Sequence, residues 1–293
     1  MTLKNLPAAP EARPHAGMYC DISPRALDRW NPGLYAVDED AENTITIYDP
    51  IGYDYFGDGV TAKRIAAALR SIGSGDVFVN INSPGGDVFE GLAIYNILRE
   101  HKGKVTVRVM GLAASAASFI AMAGDEIQIG RAAFFMIHNA WVMAAGNRND
   151  LREIADWLEP FDQTIADIYQ ARTDIDIERI KREMDEETWI GGGEAVDVGW
   201  ADAMLPSDTV QESANAQTSA KLAARKMDVA MAKAGVPRSE RRALMQSFKS
   251  DMPGAVDPGT PSATDQEADT ATAYAAFKQA VASFQVNTGD NHV

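Results

Sequence analysis

The feature that most constrains the fold is an alternation of strand and helix patterns from residue 33 to about residue 206. Short apolar runs typical of strands include TITIY (44–48), DVFVNI (76–81) and KVTVRVM (104–110). Between the first two lies VTAKRIAAALRSIG (60–73), which has apolar residues at helical spacing and ends in glycine. Such alternation predicts an α/β fold of repeated β-α-β units with substantial parallel pairing.

The segment INSPGGDVFEG (81–91) predicts a strand, a Pro-Gly-Gly turn and the start of a helix. Asp87 is placed to cap this helix, and Glu90 lies three residues later, as in a capping box. The two glycines let the backbone turn its N–H groups outward where the helix dipole begins. The segment matches neither the spaced-glycine dinucleotide motif nor a Walker loop, so no phosphate cradle is expected. The simpler alternative is an ordinary strand-to-helix turn.

The segment GLAASAASF (111–119) follows a predicted strand and consists mostly of small side chains, with two hydroxyls among them. We expect it to form a helix. One interpretation is close packing of that helix against the sheet. The other is display of a nucleophile, because Ser115 lies near the helix start and the Ala116 amide could donate to a developing oxyanion. Ser118 is expected to face another direction or to bond back to the helix.

Four histidines are present, of which His15, His101 and His292 lie in polar or terminal segments. His138 differs because it ends the apolar strand AFFMIH (133–138). A satisfied structural histidine is the simpler interpretation, but His138 is the candidate if the chain has a general base of neutral-range pKa. The strand ends before Ser115 and at His138 would meet at one edge of a parallel sheet, where ligand sites form.

Composition excludes several classes of function. Residues 211–293 contain nine acidic and nine basic side chains, so the formal charge of −15 lies wholly in residues 1–210, which argues against nucleic-acid binding. Cys20 is the only cysteine, so no intrachain disulfide forms, and there is neither a long apolar run nor a Cys/His cluster. We expect a soluble cytoplasmic protein without metal, organic cofactor or membrane contact.

The chain divides into three predicted parts. Residues 1–32 carry five prolines and little periodicity, which predicts a flexible leader. Residues 33–208 form the α/β domain, and residues 209–293 are a linker and a mostly flexible helical or low-complexity tail. Within the tail, residues 221–249 predict one or two basic amphipathic helices, and residues 274–284 predict a last short helix.

Three segments, in this order and at these separations, resemble the proteolytic subunit of the Clp protease: INSPGGDVFEGLAIYNIL, GLAASAASFIAMAGDEI and AFFMIHNAW. The resemblance runs from about residue 33 to residue 206 and closes with GGGEAVDVGWADAML. It is greatest to the branch of phage and prophage head-maturation proteases. It implies the fold that Clp proteases share with crotonases, and a serine-type endopeptidase that needs no metal or organic cofactor.

The resemblance also implies roles for individual residues. The family nucleophile falls on Ser115 and the general base on His138. The family oxyanion donors are backbone amides, which here belong to Gly86 and Ala116.

The third member of the triad departs from the family pattern. An ungapped alignment back from Glu194 places Glu187 where the family has an aspartate. A glutamate can orient a histidine as an aspartate does, so we favour Glu187 over Asp185, two residues upstream. The alternative is that REMDEET (182–188) is a solvated acidic helix.

The segment IADWLEPFDQTIADIYQAR (154–172) corresponds to the handle helix of the family, and Pro160 is expected to kink it. The resemblance implies a ring-forming homo-oligomer that cleaves protein or peptide substrates inside a chamber. As a head-maturation protease it would cleave capsid or scaffold proteins. In a housekeeping variant, an ATP-driven unfoldase would be its partner.

Two other classes of function remain open at this point. A crotonase-like acyl-CoA enzyme also uses two backbone amides as an oxyanion hole, but it needs neither Ser115 nor His138. A degenerate protease fold retained as an assembly factor is favoured only by the unusual Glu187. Reaction of Ser115 with a fluorophosphonate separates the protease from both.

Overall fold

The computed structural model describes residues 19–20, 22–36, 42–52, 59–206, 210–212, 216–236 and 238–251 of the chain. Contacts divide the chain into two compact units, residues 1–245 and residues 246–293. The second unit is described only at residues 246–251, where the last described helix ends. The predicted helix over residues 274–284 lies outside the described residues.

The described residues contain strands and helices in alternating groups. The strands are β1 (Tyr19–Cys20), β2 (Leu34–Ala36), β3 (Thr44–Ile47), β4 (Val77–Ser83), β5 (Val105–Ala114), β6 (Glu126–Ile129), β7 (Phe134–Ile137), β8 (Val142–Met143), β9 (Thr188–Gly191), β10 (Ala203–Met204) and β11 (Val210–Glu212). The helices are α1 (Pro24–Arg29), α2 (Ala62–Ile72), α3 (Val88–Arg99), α4 (Ala116–Ala121), α5 (Arg148–Thr173), α6 (Ile177–Asp185), α7 (Gly192–Asp197), α8 (Ala216–Lys233) and α9 (Arg238–Asp251).

The main sheet has seven strands in the order β10-β6-β5-β4-β3, with β7 paired to the end of β5 and β9 paired to β7. All of these pairings are parallel except that of β7 with β9. The predicted α/β class is therefore confirmed. Because β4, β5 and β7 run in the same direction, the turns that follow them lie at one edge of the sheet.

Helices α2 to α5 contribute to one continuous apolar core with the sheet. The alternating residues Val79, Val107 and Val109 of β4 and β5 are fully buried in it. Helices α3 and α4 pack closely, because a Cβ added to Gly91 would lie 2.7 Å from the Phe119 ring. This contact fixes α4 and the turn before it relative to the sheet.

The predicted cap of α3 is present, but its acidic residue has a different partner. The Asp87 side chain accepts hydrogen bonds from the N–H groups of Phe89 and Glu90, at 2.8 and 3.1 Å. The Glu90 carboxylate instead accepts from the N–H of Ala62, the first residue of α2, at 2.7 Å. Glu90 therefore links the starts of two helices.

Part of the segment predicted to be a flexible leader is packed in a second apolar cluster. This cluster contains buried residues of α1, β5, β7 and α8, together with Trp30, whose Nε1 donates to the carbonyl oxygen of Asn82 at 2.8 Å. Arg225 of α8 lies 3.0 Å from a carboxylate oxygen of Asp49, and its guanidinium carbon is 5.1 Å from the Trp30 ring centre. Residues 22–32 therefore pack on the domain, because their apolar residues are buried there.

The region after residue 208 also contains regular structure. The segment predicted to hold one or two amphipathic helices contains α8 and α9. The expected linker contains β11, which pairs antiparallel with β2.

No helix in the described ranges has the length and apolar character that crossing a membrane requires.

Three further details concern the segments around the predicted site. The sequence Gly111–Ala114, expected to be helical, instead extends β5, because Leu112–Ala114 pair with β7. Helix α5 continues through Pro160 as one helix of 26 residues. The two-residue strand β8, which follows His138 by a short loop, pairs antiparallel with β1.

Candidate active site

Ser115 lies at the bend between β5 and α4. Its φ of 52° and ψ of −121° place it in a region that residues with a side chain rarely occupy. Its N–H donates to the carbonyl oxygen of Met136 on β7 at 2.9 Å, so the neighbouring strand holds the bend. Strain of this kind costs of order 1–3 kcal/mol and persists where the surrounding structure imposes it, often at functional sites.

His138 directly follows β7, and its Nε2 lies 2.7 Å from Oγ of Ser115. With the ring proton on Nδ1, the hydroxyl donates to Nε2, which is the arrangement that proton transfer requires. Burial lowers the pKa of His138 below its usual value, and the Glu187 carboxylate partly opposes this shift. A neutral imidazole in contact with a hydroxyl is suited to act as a base.

The Pro-Gly-Gly turn packs directly against the Ser115 bend. Gly85 and Gly86 have φ values of 86° and 148°, and a Cβ on Gly85 would lie 2.7 Å from Cβ of Ser115. The Ile51 N–H donates to the Gly85 carbonyl, and the Asp87 N–H donates to the Ile51 carbonyl. The Gly85 C=O and the Gly86 N–H belong to one trans peptide group and point in opposite directions, so the bond from Ile51 to the carbonyl turns the Gly86 N–H away from Ile51.

Gly86, Ala116, Ser115 and His138 line one small cleft. The structure therefore brings together four of the five predicted site residues. Ala116 is the first residue of α4, so its N–H has no acceptor within the helix. Among the described residues, neither the Gly86 amide nor the Ala116 amide has a backbone acceptor, and two such donors next to a hydroxyl are what an oxyanion needs.

Glu187 and Asp185 have different surroundings. Glu187 has a φ of 53°, and its Oε1 lies 3.3 Å from Nη1 of Arg25 and 3.4 Å from Nε1 of Trp189. Asp185 accepts a hydrogen bond of 2.7 Å from Nδ2 of Asn139. Among the described residues, neither carboxylate is hydrogen-bonded to His138, although Glu187 is near enough to act on its pKa.

Apolar side chains complete the cleft beside the hydroxyl. They come from α3, α4, the loop after His138 and α5, and they are Val88, Phe119, Ala140, Trp141 and Ile165. Such a lining suits an apolar side chain of a bound peptide.

Ser118, the second hydroxyl of the small-residue segment, is fully buried away from the cleft. Its Oγ donates to the carbonyl oxygen of Ser115 at 2.6 Å and lies 2.7 Å from the hydroxyl of Tyr169. This back-bonding, which the sequence predicts, supports the carbonyl side of the Ser115 bend. His101 contacts the carbonyl oxygen of Gly75 at 2.7 Å, in an exposed turn.

Sequence reasoning missed Asn139 and Asp162. Asp162 accepts a hydrogen bond of 2.6 Å from the N–H of Ala140, two residues after His138. Nothing local marks it, because an acidic residue on a long helix is ordinarily a solvated one. Its position just after Pro160 is the only irregularity nearby.

Metal ligands do not cluster in the part of the chain that the structure describes. The arrangement therefore offers a hydroxyl, an imidazole, two amide donors and nearby carboxylates. These groups can carry out acyl transfer through a serine nucleophile.

Comparison with known proteins supports this chemistry. The family model described as Clp protease matches residues 40–208, which is more than half of the chain. The chain belongs to the Clp protease family. Membership implies a serine-type peptidase and confirms that part of the resemblance found in the sequence.

Several relatives are similar over most of their length. The ATP-dependent Clp protease proteolytic subunit 2 of Parasynechococcus marenigrum is 30% identical over 169 residues, which are 54% of this chain and 84% of the relative. Proteolytic subunit 1 of Prochlorococcus marinus is 32% identical over 157 residues, or 52% and 80% of the two chains. The proteolytic subunit of Deinococcus radiodurans is 34% identical over 134 residues, or 44% and 65%.

Proposed function

We propose that this Clp protease family member is an endopeptidase whose nucleophile is Ser115 and whose general base is His138. The observation that carries the proposal is the distance of 2.7 Å between Ser115 Oγ and His138 Nε2 at a strained bend. Among the described residues, His138 is the only histidine at the end of an apolar strand, since His101 follows α3.

In the proposed mechanism, the Ser115 hydroxyl attacks the scissile carbonyl while His138 takes its proton. The amides of Gly86 and Ala116 stabilise the negative charge on the carbonyl oxygen. The protonated imidazole then gives its proton to the leaving amine, and water hydrolyses the acyl-enzyme by the same steps. Loss of Ser115 or His138 should lower kcat by about 10⁶-fold, as in other serine proteases.

Glu187 is the proposed third member of the triad. Its support is that its charge, and not that of Asp185, acts on the pKa of His138. Glu187→Gln should lower kcat by on the order of 10⁴-fold, judged from the loss of the triad carboxylate elsewhere. Asp185→Asn should change kcat little, and the reverse ranking of the two variants would assign the role to Asp185.

The proposed substrates are proteins in the cytoplasm, and from the sequence resemblance we infer capsid or scaffold precursors. The chain after residue 208 extends past the region that the family model matches, and we propose that part of it holds such a partner. A second candidate function is favoured by the names of the relatives, which are ATP-dependent. In that role an ATP-driven unfoldase would deliver the substrates.

We also propose that the chain assembles into homo-oligomeric rings through α5. Leu151, near the start of this helix, is a large apolar side chain that is 47% exposed, so a second copy of the chain can contact it. Native mass spectrometry of the purified chain and of Leu151→Glu tests this, since the charge should shift the oligomer towards smaller species.

The experiment that tests the enzyme compares wild type with Ser115→Ala and His138→Ala. A fluorophosphonate should add to Ser115 in wild type and to neither variant. A folded wild type that is not labelled and cleaves no peptide would favour the inactive assembly factor, and acyl-CoA turnover without labelling would favour the crotonase class.

Substrate class is tested separately by co-expression with a phage capsid precursor and by adding an unfoldase with ATP. Intact masses that change with wild type but not with Ser115→Ala support capsid processing. Cleavage of a folded substrate only when ATP and the unfoldase are present supports the second candidate.

A further inference from the structure

The two residues that follow His138 are each held by an aspartate from a different helix. Asp162 of α5 accepts from the backbone N–H of Ala140 at 2.6 Å. Asp185, the last residue of α6, accepts from the side chain of Asn139 at 2.7 Å. Two helices therefore fix the short loop that carries the imidazole.

This loop lacks the support that sheet pairing gives to its neighbours. β7 pairs with β9 only as far as Ile137, and regular pairing resumes at Val142. Between these points, the bonds to Asp162 and Asp185 set the direction of the backbone after His138. A bond at Ala140 therefore acts on the position of the ring that contacts Ser115.

Asp162 is in an unfavourable place for a carboxylate. It is partly buried, and the charged groups that act on it are Asp185 from α6 and Glu159 from its own helix, both acidic. Burial first, and these two charges after it, raise the pKa of Asp162 to about 6, although the bond from Ala140 opposes the shift. A carboxylate kept in such surroundings indicates a role beyond solvation.

We propose that Asp162 is a positioning residue for His138, acting through the Ala140 N–H, with Asp185 as the second point of attachment. The inference rests on the proposed function, because it assigns a support to the proposed base. Asp162 itself touches neither Ser115 nor the imidazole in the bonds described above.

The role has a consequence for the pH dependence of activity. An ionised carboxylate accepts from an N–H more strongly than a carboxylic acid does, so protonation of Asp162 weakens the hold on the loop. His138, whose pKa is lowered from its usual value, is protonated as well when the pH falls. Protonation of His138 removes the base, whereas protonation of Asp162 only weakens the hold on the loop, so kcat/KM of wild type should approach that of an uncharged Asp162 variant as the pH falls through about 6.

The test uses Asp162→Ala, Asp162→Asn and the matched control Asp156→Ala, which removes an exposed carboxylate from the same helix. Asp162→Ala should lower kcat of peptide cleavage about 10²-fold with little change in KM, as expected for a misplaced base. Asp162→Asn keeps an oxygen acceptor but not the charge, so at pH 8 its kcat/KM should lie about threefold below that of wild type. Below pH 6, where Asp162 of wild type is itself protonated, this difference should disappear.

Two results would overturn the proposal: a kcat of Asp162→Ala equal to that of the control, or a ratio of kcat/KM between wild type and Asp162→Asn that is the same at pH 8 and at pH 5. The pH profile of Asp162→Asn decides the matter if thermal unfolding shows that Asp162→Ala is not folded. Fluorophosphonate labelling separates the two levels of inference. No labelling of Ser115 in wild type removes the proposed function, whereas equal labelling rates in wild type and Asp162→Ala remove only the positioning role.

Discussion

The strained bend at Ser115 predicts that glycine will be more stable than alanine at this position. Both substitutions remove the hydroxyl and its contact with His138, so their difference isolates the backbone. Alanine keeps a Cβ at φ 52° and ψ −121°, whereas glycine occupies this region readily.

The magnitude follows from two opposing contributions. Relief of the strain stabilises the glycine variant by about 1–3 kcal/mol. The greater freedom of glycine in the unfolded chain offsets about 0.5–1 kcal/mol of this gain. The free energy of unfolding of Ser115→Gly should therefore exceed that of Ser115→Ala by up to about 2.5 kcal/mol, with a central value of about 1 kcal/mol.

The assay is urea unfolding monitored by tryptophan fluorescence. The control compares glycine with alanine at position 155, where alanine is the native residue. This alanine is exposed on α5, so Ala155→Gly should have the opposite sign and lose about 1 kcal/mol. Equal slopes of unfolding free energy against urea would show that the variants expose the same surface. A Ser115→Ala variant as stable as Ser115→Gly, or more so, would refute the assignment of strain to this bend.

Three further predictions follow from burial and close packing. Because burial lowers the pKa of His138, kcat/KM should persist below pH 6.5, and a pH–rate profile with its acid midpoint above this value would contradict the effect. Gly91→Ala should destabilise the chain by about 1–3 kcal/mol in urea unfolding, because the added Cβ meets the Phe119 ring at 2.7 Å. Trp30→Ala should lose about 3–5 kcal/mol, because the indole is 2% exposed and its N–H bonds to Asn82; a loss below about 1 kcal/mol would show that this cluster is loosely packed.

The meeting of Ser115 and His138 could be predicted because each follows a strand of recognisable pattern. Parallel strands bring their carboxyl ends to one edge, so two local signals suffice to place two residues together. The Pro-Gly-Gly turn is predictable for the same reason, and its glycines lie where a Cβ would collide with Ser115 or Ile51.

Features that depend on distant contacts could not be predicted in this way. The extension of β5 through Ala114 follows from its pairing with β7, while the alanine-rich sequence by itself favours a helix. The contact of Arg25 with Glu187 joins residues 162 positions apart, and neither residue carries a local sign of it. The bond from Ala140 to Asp162 is likewise invisible, because a helical aspartate has the same pattern whether it faces solvent or a loop.

The packing of Trp30 and α8 limits how far the chain can be shortened for expression. The family signature starts at residue 40 and stops at residue 208, so it leaves out both of these partners of Leu112 and Met136. A recombinant fragment of residues 40–208 would expose Leu112 of β5 and Met136 of β7 to water. These are the strands that precede Ser115 and His138. The segment that identifies the family is therefore shorter than the segment that must be expressed for the protein to stay folded.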